Sequence, residues 1–506
     1  MASPVGRRQF VLLPTRGLRA SGPGVSRAAA NFLTSLTRHV GMRIVRPIKE
    51  APQVELRVVD SVREDGPKLV EVSPEAAVAL RASQPGLRLV PIVYYLPAVA
   101  PRVVPVEDAE EPAAAVPPSL SVRVVSGLTR QPLSGCLIVV FTSFAARRGV
   151  QGITDDAGEV RFRLGPLAAR LDRLYAYPPA SGYWGTLKTA VGIAPLLEVE
   201  LQPLNLGSPG ALGHFYPDSL TRAGTGVIVG VIDTGIDLGH RDLVVAGGEN
   251  TVPGENPADY GPNGEEHGTH VAGIIAARGA APDGVRGIAP EVALRSYRVF
   301  GRGQSGASNY AIIKAIDHSV VDGCDLINMS LGGGTPDDAT RAAIEDARSQ
   351  GSLCIVAAGN DRRGPVSYPA SDPLAVAVSA MGRLGLFPAA SVEVGDVAPP
   401  YGSDPLNFVA EFSNVGPEID LTGPGVGIIS TVPGGYAPLS GTSMACPAVT
   451  GAAARLLSGR ADLRVLPRDQ ARWDAIAQAL FGAALPLGFG PNFEGHGLPQ
   501  ENGLPK

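Results

Sequence analysis

Four short segments of the 506-residue chain each contain a side chain that can take part in acyl transfer. In chain order they carry Asp233 (VIDTGID), His267 (EEHGTHVAG), Asn360 (VAAGN) and Ser443 (SGTSMACP). Serine is a weak nucleophile until a base takes its proton, and an imidazole base needs a carboxylate to fix its tautomer and stabilise its cation. A carboxamide N–H can stabilise the oxyanion that forms. The four residues therefore supply every part of a serine-based hydrolytic site.

Each of these residues taken alone also has a structural explanation. Asp233 could cap a turn, Asn360 suits a Gly-Asn turn through local hydrogen bonds, and Ser443 could begin a helix as its N-cap. His267 and His270 are three residues apart and share one helix face, so we expect one of the two to be structural. The coincidence of all four residue types, each at a strand end or a helix start, is what indicates catalysis.

The segments around these residues predict an α/β architecture. Runs that are apolar throughout alternate with amphipathic helical patterns such as 307–321, and the predicted strands cover 226–233, 292–299, 324–330 and 353–358. Strands of this kind form parallel sheets that helices cover on both faces. Such sheets carry their sites beyond the carboxyl ends of the strands, which is where Asp233 and Asn360 lie.

The motifs resemble the signatures of the subtilisin-like serine proteases. The resemblance covers about 220–460 and rests on DTGID at 233–237, HGTHVAG at 267–273, AAGN at 357–360 and GTSMACP at 441–447, with GIAP at 287–290, INMSLGG at 327–333 and FSNVGPEIDLTGPG at 412–425 between them. The order acid, histidine, serine is the order known for subtilisin. The resemblance implies a subtilisin-like fold and a serine endopeptidase that works through an acyl-enzyme.

Roles for individual residues follow from the resemblance. It implies that Ser443 is the nucleophile, His267 the general base and Asp233 the residue that orients the base. Asn360 then matches the side-chain donor of the oxyanion hole, together with the backbone N–H of Ser443. His270 matches a histidine that packs structurally in this family.

The resemblance also implies an extended polypeptide substrate between two edge segments. One edge comprises Ser330, Leu331 and Gly332, and the opposite edge runs from Gly303 to Gly306. The pocket for the residue before the cut bond would be lined by Ala357, Ala358 and Gly359. These small walls predict an open, apolar pocket, to which the loop 361–368 could add charge.

Three further residues carry expectations. We expect Pro447 in or near the first helical turn after Ser443, where its missing N–H is tolerated, and Cys446 as a small buried filler rather than a redox switch. Asp242 matches a carboxylate that helps to bind calcium in many relatives, but the loop 277–285 offers few oxygen ligands besides Asp283. The resemblance implies no required cofactor and makes calcium an optional one.

The rest of the chain divides into modules. Residues 1–95 predict a small α+β domain of the β-α-β-β-α-β kind, which resembles the propeptide that inhibits and chaperones these proteases, with a last strand at 87–95 that would present a tail to the active site. Residues 96–118 predict an extended linker, 119–204 a β-sandwich, 205–460 the catalytic domain and 461–506 a C-terminal tail. We expect that tail on the surface or disordered after a helix near 470–482. Self-cleavage would fall within 96–118 or 205–213, unless both modules are retained.

Composition excludes several classes of function. A net charge of −5 and a pI near 5.9 argue against nucleic acid or an anionic membrane as a partner. We see no apolar run of about 18 residues that could span a bilayer and no signal-peptide pattern, which favours the cytoplasm. Four cysteines do not make a disulfide framework in a chain of this length. Two alternatives stay open: a protease dedicated to one partner peptide, and a catalytically silent binding scaffold.

Overall fold

The computed structural model describes residues 7–20, 25–48, 51–107, 119–164, 170–179, 181–208, 210–217 and 222–500. Three bodies follow one another along the chain: an N-terminal α+β domain, a β-sandwich and a large α/β domain. No helix of the described residues is long and apolar enough to cross a bilayer.

The N-terminal domain is an antiparallel sheet with two described helices. Its elements are β1 (Arg8–Pro14), α1 (Arg27–Thr37), β2 (Arg43–Ile48), β3 (Ala51–Ser61), β4 (Lys68–Val72), α2 (Pro74–Ser83) and β5 (Leu87–Pro91), and the strand order is β2-β3-β4-β1-β5. Each helix begins at a serine whose hydroxyl accepts a backbone N–H three residues on, Ser26 for α1 and Ser73 for α2. Their apolar faces cover the sheet.

The predicted strand at 87–95 is wrong as a single element. The chain leaves the sheet after β5 and forms a separate strand, β6 (Tyr94–Pro97), which pairs with two short strands of the large domain. The segment predicted as a linker, 96–118, therefore begins inside a cleft. Its residues 108–118 lie outside the described part of the chain.

The sandwich packs two sheets face to face. Its strands are β7 (Val106–Glu107), β8 (Ser119–Ser126), β9 (Leu137–Ser143), β10 (Arg148–Ile153), β11 (Glu159–Arg163), β12 (Arg170–Tyr177), β13 (Thr186–Gly192) and β14 (Leu196–Leu201). The described strands have the orders β13-β12-β9-β10-β7 and β11-β8-β14. Apolar side chains from both sheets form the core between them.

The large domain is built on a mostly parallel sheet. Its elements are α3 (Gly210–Phe215), β15 (Ile228–Asp233), β16 (Val245–Asn250), α4 (His267–Ala276), β17 (Ala293–Arg298), β18 (Ala307–Ser308), α5 (Asn309–Val321), β19 (Leu326–Met329), β20 (Leu331–Gly332), α6 (Asp338–Ser349), β21 (Leu353–Ala357), β22 (Val376–Arg383), β23 (Val397–Tyr401), β24 (Asn407–Ala410), β25 (Leu421–Pro424), β26 (Ile428–Val432), β27 (Gly435–Leu439) and α7 (Thr442–Gly459). The main sheet has the order β16-β17-β15-β19-β21-β22-β24-β23, and β25 pairs with β22.

Helices cover both faces of this sheet. Side chains of α4 and α7 join the core on one face, and those of α5 and α6 join the core on the other. The central strands β15, β19 and β21 are buried between these layers, which explains why apolar residues dominate them. The predicted parallel sheet with two helical layers is present.

The C-terminal segment 461–500 does not lie loosely on the surface. It continues with α8 (Ala461–Arg464), α9 (Gln470–Gly482), β28 (Ala484–Leu485), α10 (Pro491–Glu494) and β29 (Leu498–Pro499). Trp473, Ile476 and Leu498 are buried in the core of the large domain. The helix predicted near 470–482 is α9, but the expectation of a surface or disordered tail after it was wrong for 483–500, because Phe489 and Leu498 are buried in that core. Residues 501–506 lie outside the described residues.

Candidate active site

Asp233 and His267 form a buried pair at one end of the parallel sheet. Asp233 ends β15, and its Oδ1 accepts hydrogen bonds from the backbone N–H of Thr234 and from Nδ1 of His267, both at 2.7 Å. The carboxylate can only accept, so Nδ1 carries the proton and Nε2 of His267 is left as the acceptor. That Nε2 is buried and has no hydrogen-bond partner among the described residues.

His270 occupies a different environment one turn further along α4. Its Nε2 contacts the backbone carbonyl oxygens of Ile428 and Ala437 at 2.9 and 3.0 Å. Complete burial lowers the pKa of His270 to about 3, so the ring stays neutral and ties α4 to the β26–β27 hairpin. These contacts give His270 a structural role, and its other ring nitrogen, Nδ1, is buried without a hydrogen-bond partner among the described residues.

Ser443 lies in the first turn of α7 and is fully buried. Its hydroxyl donates to the carbonyl oxygen of Ser330 at 2.9 Å, and the Ser330 hydroxyl donates to the Ser443 carbonyl oxygen at 3.0 Å. In this rotamer Ser443 Oγ is therefore bonded to Ser330 and not to His267. The chain turns into α7 at Gly441, where a Cβ atom would lie 2.7 Å from the carbonyl oxygen of Ala98.

The structure corrects the predicted place of Pro447. It lies inside α7, beyond the first turn. Because proline has no N–H, the carbonyl oxygen of Ser443, four residues earlier, receives no hydrogen bond from position 447. This oxygen accepts the Ser330 hydroxyl instead. The proline thus frees the carbonyl oxygen that joins the backbone of Ser443 to Ser330.

Asn328 links Ser330 to α7 through buried hydrogen bonds. Nδ2 of Asn328 donates to the Ser330 hydroxyl at 3.0 Å, and Oδ1 of Asn328 accepts the Thr450 hydroxyl at 2.9 Å. The Cys446 thiol also lies 3.2 Å from Asn328 Oδ1. Cys446 is fully buried, as expected for a filler, and burial raises its pKa, which disfavours the reactive thiolate. Sequence reasoning missed Asn328, although a lone asparagine in an apolar strand is a usable signal.

Asn360 is fixed by the helix that carries Ser443. Its Oδ1 accepts the backbone N–H of Thr442 at 2.9 Å. The carboxamide is thereby oriented, and its Nδ2 is buried with no hydrogen-bond partner in the described part of the chain. Because the bond is to Thr442, which precedes Ser443, the carboxamide offers an oriented and unsatisfied donor near Ser443, as an oxyanion hole requires.

A segment of the chain itself runs through the cleft. The backbone N–H of Ser443 donates to the carbonyl oxygen of Ala98 at 3.0 Å, and the N–H of Ala98 donates to the carbonyl oxygen of Ser330 at 3.1 Å. On the preceding side, β6 forms antiparallel pairs with Leu331–Gly332. The peptide bond between Ala98 and Val99 therefore lies beside Ser443.

The opposite edge is displaced from its predicted position. β6 pairs with Ala307–Ser308 rather than with the segment from Gly303 to Gly306. Gly306 still lies against this strand, because a Cβ atom on it would be 3.2 Å from Cβ of Tyr94, whereas a Cβ atom on Gly303 would meet nothing within 4 Å. Gly303 has a φ of +68°, which indicates a turn residue.

The pocket predicted at Ala357, Ala358 and Gly359 is narrowed by two polar side chains. A Cβ atom on Gly359 would lie 2.4 Å from Ser367 Oγ and 2.5 Å from Asn414 Nδ2. Asn414 also donates to the carbonyl oxygen of Ala358 at 3.2 Å. These walls are more polar than the sequence indicated, since Asn414 comes from a distant loop.

The contacts of Asp242 do not fit a calcium ligand. Its Oδ2 accepts the backbone N–H of Val285 at 3.0 Å and the hydroxyl of Tyr436 at 2.8 Å. The guanidinium of Arg241 donates to the carbonyl oxygen of Asp283 and, through Nε, to the Tyr436 hydroxyl at 3.0 Å. Donors and a cationic side chain thus face the oxygens that calcium would need. Within the described ranges no group of three or more His, Cys, Asp or Glu side chains could hold a metal ion.

The large domain is similar in sequence to known proteins. The model of the Subtilase family matches residues 224–497. The chain is 41% identical over 241 residues to subtilisin NAT of Bacillus subtilis subsp. natto and to subtilisin of Bacillus pumilus, and 40% identical over 232 residues to subtilisin Savinase of Lederbergia lenta. Each match covers 46% of this chain, and it spans 56%, 78% and 76% of the three relatives in that order.

Proposed function

This chain belongs to the subtilase family, whose members are serine endopeptidases, and we propose that it hydrolyses peptide bonds with Ser443 as nucleophile, His267 as general base and Asp233 as the group that orients His267. The observation that carries the proposal is the contact of the Ala98 carbonyl oxygen with the Ser443 N–H at 3.0 Å. A peptide bond of the chain itself occupies the position that the cut bond of a substrate needs.

The reaction begins with a rotation of the Ser443 side chain. Its hydroxyl leaves the Ser330 carbonyl oxygen and turns to Nε2 of His267, which takes the proton as Oγ attacks the carbonyl carbon. The negative charge that develops on the carbonyl oxygen is stabilised by the Ser443 N–H and by Nδ2 of Asn360. Asp233 stabilises the imidazolium cation that forms.

The second half of the reaction uses the same groups. The imidazolium of His267 donates its proton to the nitrogen of the leaving chain, the C–N bond breaks, and Ser443 carries an ester. A water molecule that His267 deprotonates then attacks this ester, and the Ser443 oxygen recovers a proton. The products are a carboxylic acid and an amine, as peptide hydrolysis requires.

We propose that the first substrate is the bond between Ala98 and Val99 of the same chain. Ala98 lies beside the proposed oxyanion donor and is held in an extended segment. The other segment considered for maturation, 205–213, contains the start of α3, whose Ala211 is buried in the core of the large domain. A cut there would require local unfolding, so the position near Ser443 is favoured.

The N-terminal domain is proposed to act as an intramolecular inhibitor and folding aid. Charged side chains fix it to α5: Arg63 Nε donates to Asp317 Oδ2 at 2.8 Å, and Lys314 Nζ donates to Asp60 Oδ2 at 2.9 Å. The Tyr95 hydroxyl of β6 donates to Asp337 Oδ2 at 2.5 Å. These contacts keep the cleft filled until the domain leaves.

An active-site probe and intact mass together test the proposal. A fluorophosphonate should label the wild-type chain after maturation, and the mass of the released fragment should correspond to an end at Ala98. Ser443→Ala should give neither label nor cleavage while keeping the wild-type circular dichroism. A folded wild-type chain without label would contradict hydrolysis by Ser443, and a labelled chain cut elsewhere would contradict the assignment of the bond.

A further inference from the structure

The chain beyond the Ala98–Val99 bond follows a defined path, and we call residues 99–105 the leaving-side strap. The N–H of Ala100 donates to the carbonyl oxygen of Ser440 at 2.9 Å, just before the turn into α7. Pro105 is buried, and Val106 and Glu107 then pair with β10 of the sandwich. The strap therefore runs from the proposed cut bond directly onto the sandwich.

The sandwich forms one wall of the cavity that the leaving-side strap lines. This cavity of about 660 Å³ lies between the two domains, and the sandwich lines it with Phe144, Arg173, Tyr175 and Tyr177. The guanidinium carbon of Arg102 lies 5.1 Å from the ring centroid of Tyr177, within the range of a cation–π contact. Val103 packs against the aromatic cluster that contains Phe141 and Tyr175.

Contacts with the large domain hold the sandwich beside this cavity. Leu187 N–H donates to the carbonyl oxygen of Ala390 at 2.8 Å, and Gly182 N–H donates to that of Tyr436 at 2.9 Å. Trp184 is 5% exposed and belongs to the core cluster of the large domain. The wall is therefore held at a fixed place relative to Ser443.

The large domain contributes acidic groups to the same cavity. Glu265 and Glu266 precede His267, and Glu393 and Asp396 lie near the ring of Tyr177. Arg173 and Arg362 are the cationic groups that the enzyme itself adds, besides Arg102 of the strap. Burial raises the pKa of Glu393 to about 7 and that of Asp396 to about 8, so both are partly or mostly protonated at neutral pH. Glu265, Glu266 and Glu411 still outnumber the guanidinium groups of Arg173 and Arg362 in the walls, so the cavity favours a cationic occupant.

We propose that this sandwich wall, defined as Phe144, Tyr175 and Tyr177, is a binding surface for the part of a polypeptide substrate that follows the cut bond. The fourth residue after the cut would be cationic and stack on Tyr177, as Arg102 does, and the fifth would be apolar and pack as Val103 does. After self-cleavage the strap is attached only at its carboxyl end, so a substrate can displace it. This inference rests on the proposed endopeptidase activity.

Peptide length and sequence test the proposal on the matured wild-type enzyme. We would compare internally quenched peptides that share the residues before the cut and end either two or six residues after it. The long peptide carries Arg and Val at the fourth and fifth positions, and a second long peptide carries Glu and Ser there. The expected kcat/KM is about 10-fold higher for the Arg-Val peptide than for the other two, as one cation–π contact and one buried apolar side chain would give.

A variant connects this preference to the sandwich. In Tyr177→Ala the ratio of kcat/KM for the Arg-Val peptide to that for the short peptide should fall toward one. Leu128→Ala, at a sandwich residue that is 77% exposed, should keep the wild-type ratio. Equal kcat/KM for long and short peptides in the wild type would overturn the proposal. Failure to cut even the short peptide would count against the endopeptidase activity itself.

Discussion

The backbone N–H of Thr442 donates to Oδ1 of Asn360 at 2.9 Å, so the residue before the nucleophile sets the orientation of the proposed oxyanion donor. The bond holds Nδ2 of Asn360 in place, and no described residue satisfies that donor. Because the Thr442 N–H orients the amide independently of the carbonyl oxygen that it would stabilise, no energy of reorientation opposes the transition state.

Asn360→Ala should therefore lower kcat strongly and change KM little. Removing such a donor from subtilisin costs about 10²–10³ in kcat, and we take that loss as the scale here. Steady-state kinetics on a short chromogenic peptide measure the effect. His270→Asn provides the comparison, because His270 holds the fold together and does not contact the oxyanion. This variant should lose thermal stability. A kcat within threefold of wild type in Asn360→Ala would argue against the assigned role.

Asp317→Asn should speed release of the N-terminal domain after self-cleavage. Asp317 is 1% exposed and accepts from Arg63 of that domain, with Arg19 also within 3.5 Å. Loss of one partner from a buried charge pair acts mainly on dissociation, so we expect release to be at least about 10-fold faster. The lag before peptidase activity appears reports this rate. Glu71→Gln, which affects a pair inside the N-terminal domain, should leave the lag as it is, and an unchanged lag in Asp317→Asn would disprove the assignment.

Asp242→Asn should destabilise the loop 277–285 without any involvement of calcium. The substitution weakens bonds from the Val285 N–H and the Tyr436 hydroxyl, and hydrogen bonds to charged groups contribute about 1.5–3 kcal/mol. Urea unfolding in the Ser443→Ala background measures the loss. Chelator or added calcium should leave the wild-type Tm in place. A calcium-dependent Tm that Asp242→Asn abolishes would show that the carboxylate binds the ion after all.

The raised pKa of Glu393 predicts that the protein loses stability as pH rises from about 4.5 to about 7. The Glu393 side chain is 4% exposed, and burial raises its pKa from 4.5 to about 7. The folded state therefore binds more protons than the unfolded state between these values, so the free energy of unfolding falls as pH rises through that window. Each pKa unit corresponds to about 1.4 kcal/mol, which makes the full effect about 3 kcal/mol.

Glu393→Gln tests this directly in the Ser443→Ala background. At pH 8.5 the variant should be more stable than its parent, and at pH 5 the two should be similar. Burial also raises the pKa of Asp396, to about 8, which adds a fall of the same sign to both proteins. A difference between the two proteins that does not change with pH would contradict the titration of Glu393.

Much of the site could be predicted from local sequence because its parts are local. A strand that is buried on both faces must be apolar, so Asp233 stands out at the end of β15. The glycine before Thr442 and the small residues of α7 are likewise required where backbones approach closely, as at Gly451, whose Cβ would lie 2.8 Å from Cβ of Ile288. Such requirements concern only a few neighbouring residues, so the residue types that meet them can be recognised in the local sequence.

Other features depend on surfaces that are distant in the sequence. Nothing near Ala98 indicates that its carbonyl oxygen meets the N–H of Ser443, since the two residues come from different ends of the chain. The same is true of Asn414, which lies against Gly359, and of Tyr436, whose hydroxyl donates to Asp242.

The sequence by itself determined the acid, imidazole, carboxamide and alcohol, their order and the sheet that carries them, because each is encoded by short-range patterns of burial and backbone turning. Only the tertiary structure decided which peptide bond lies in the cleft, how the sandwich is fixed beside it and where the C-terminal segment packs. Those outcomes depend on complementary shape and charge between elements hundreds of residues apart, which no local pattern records.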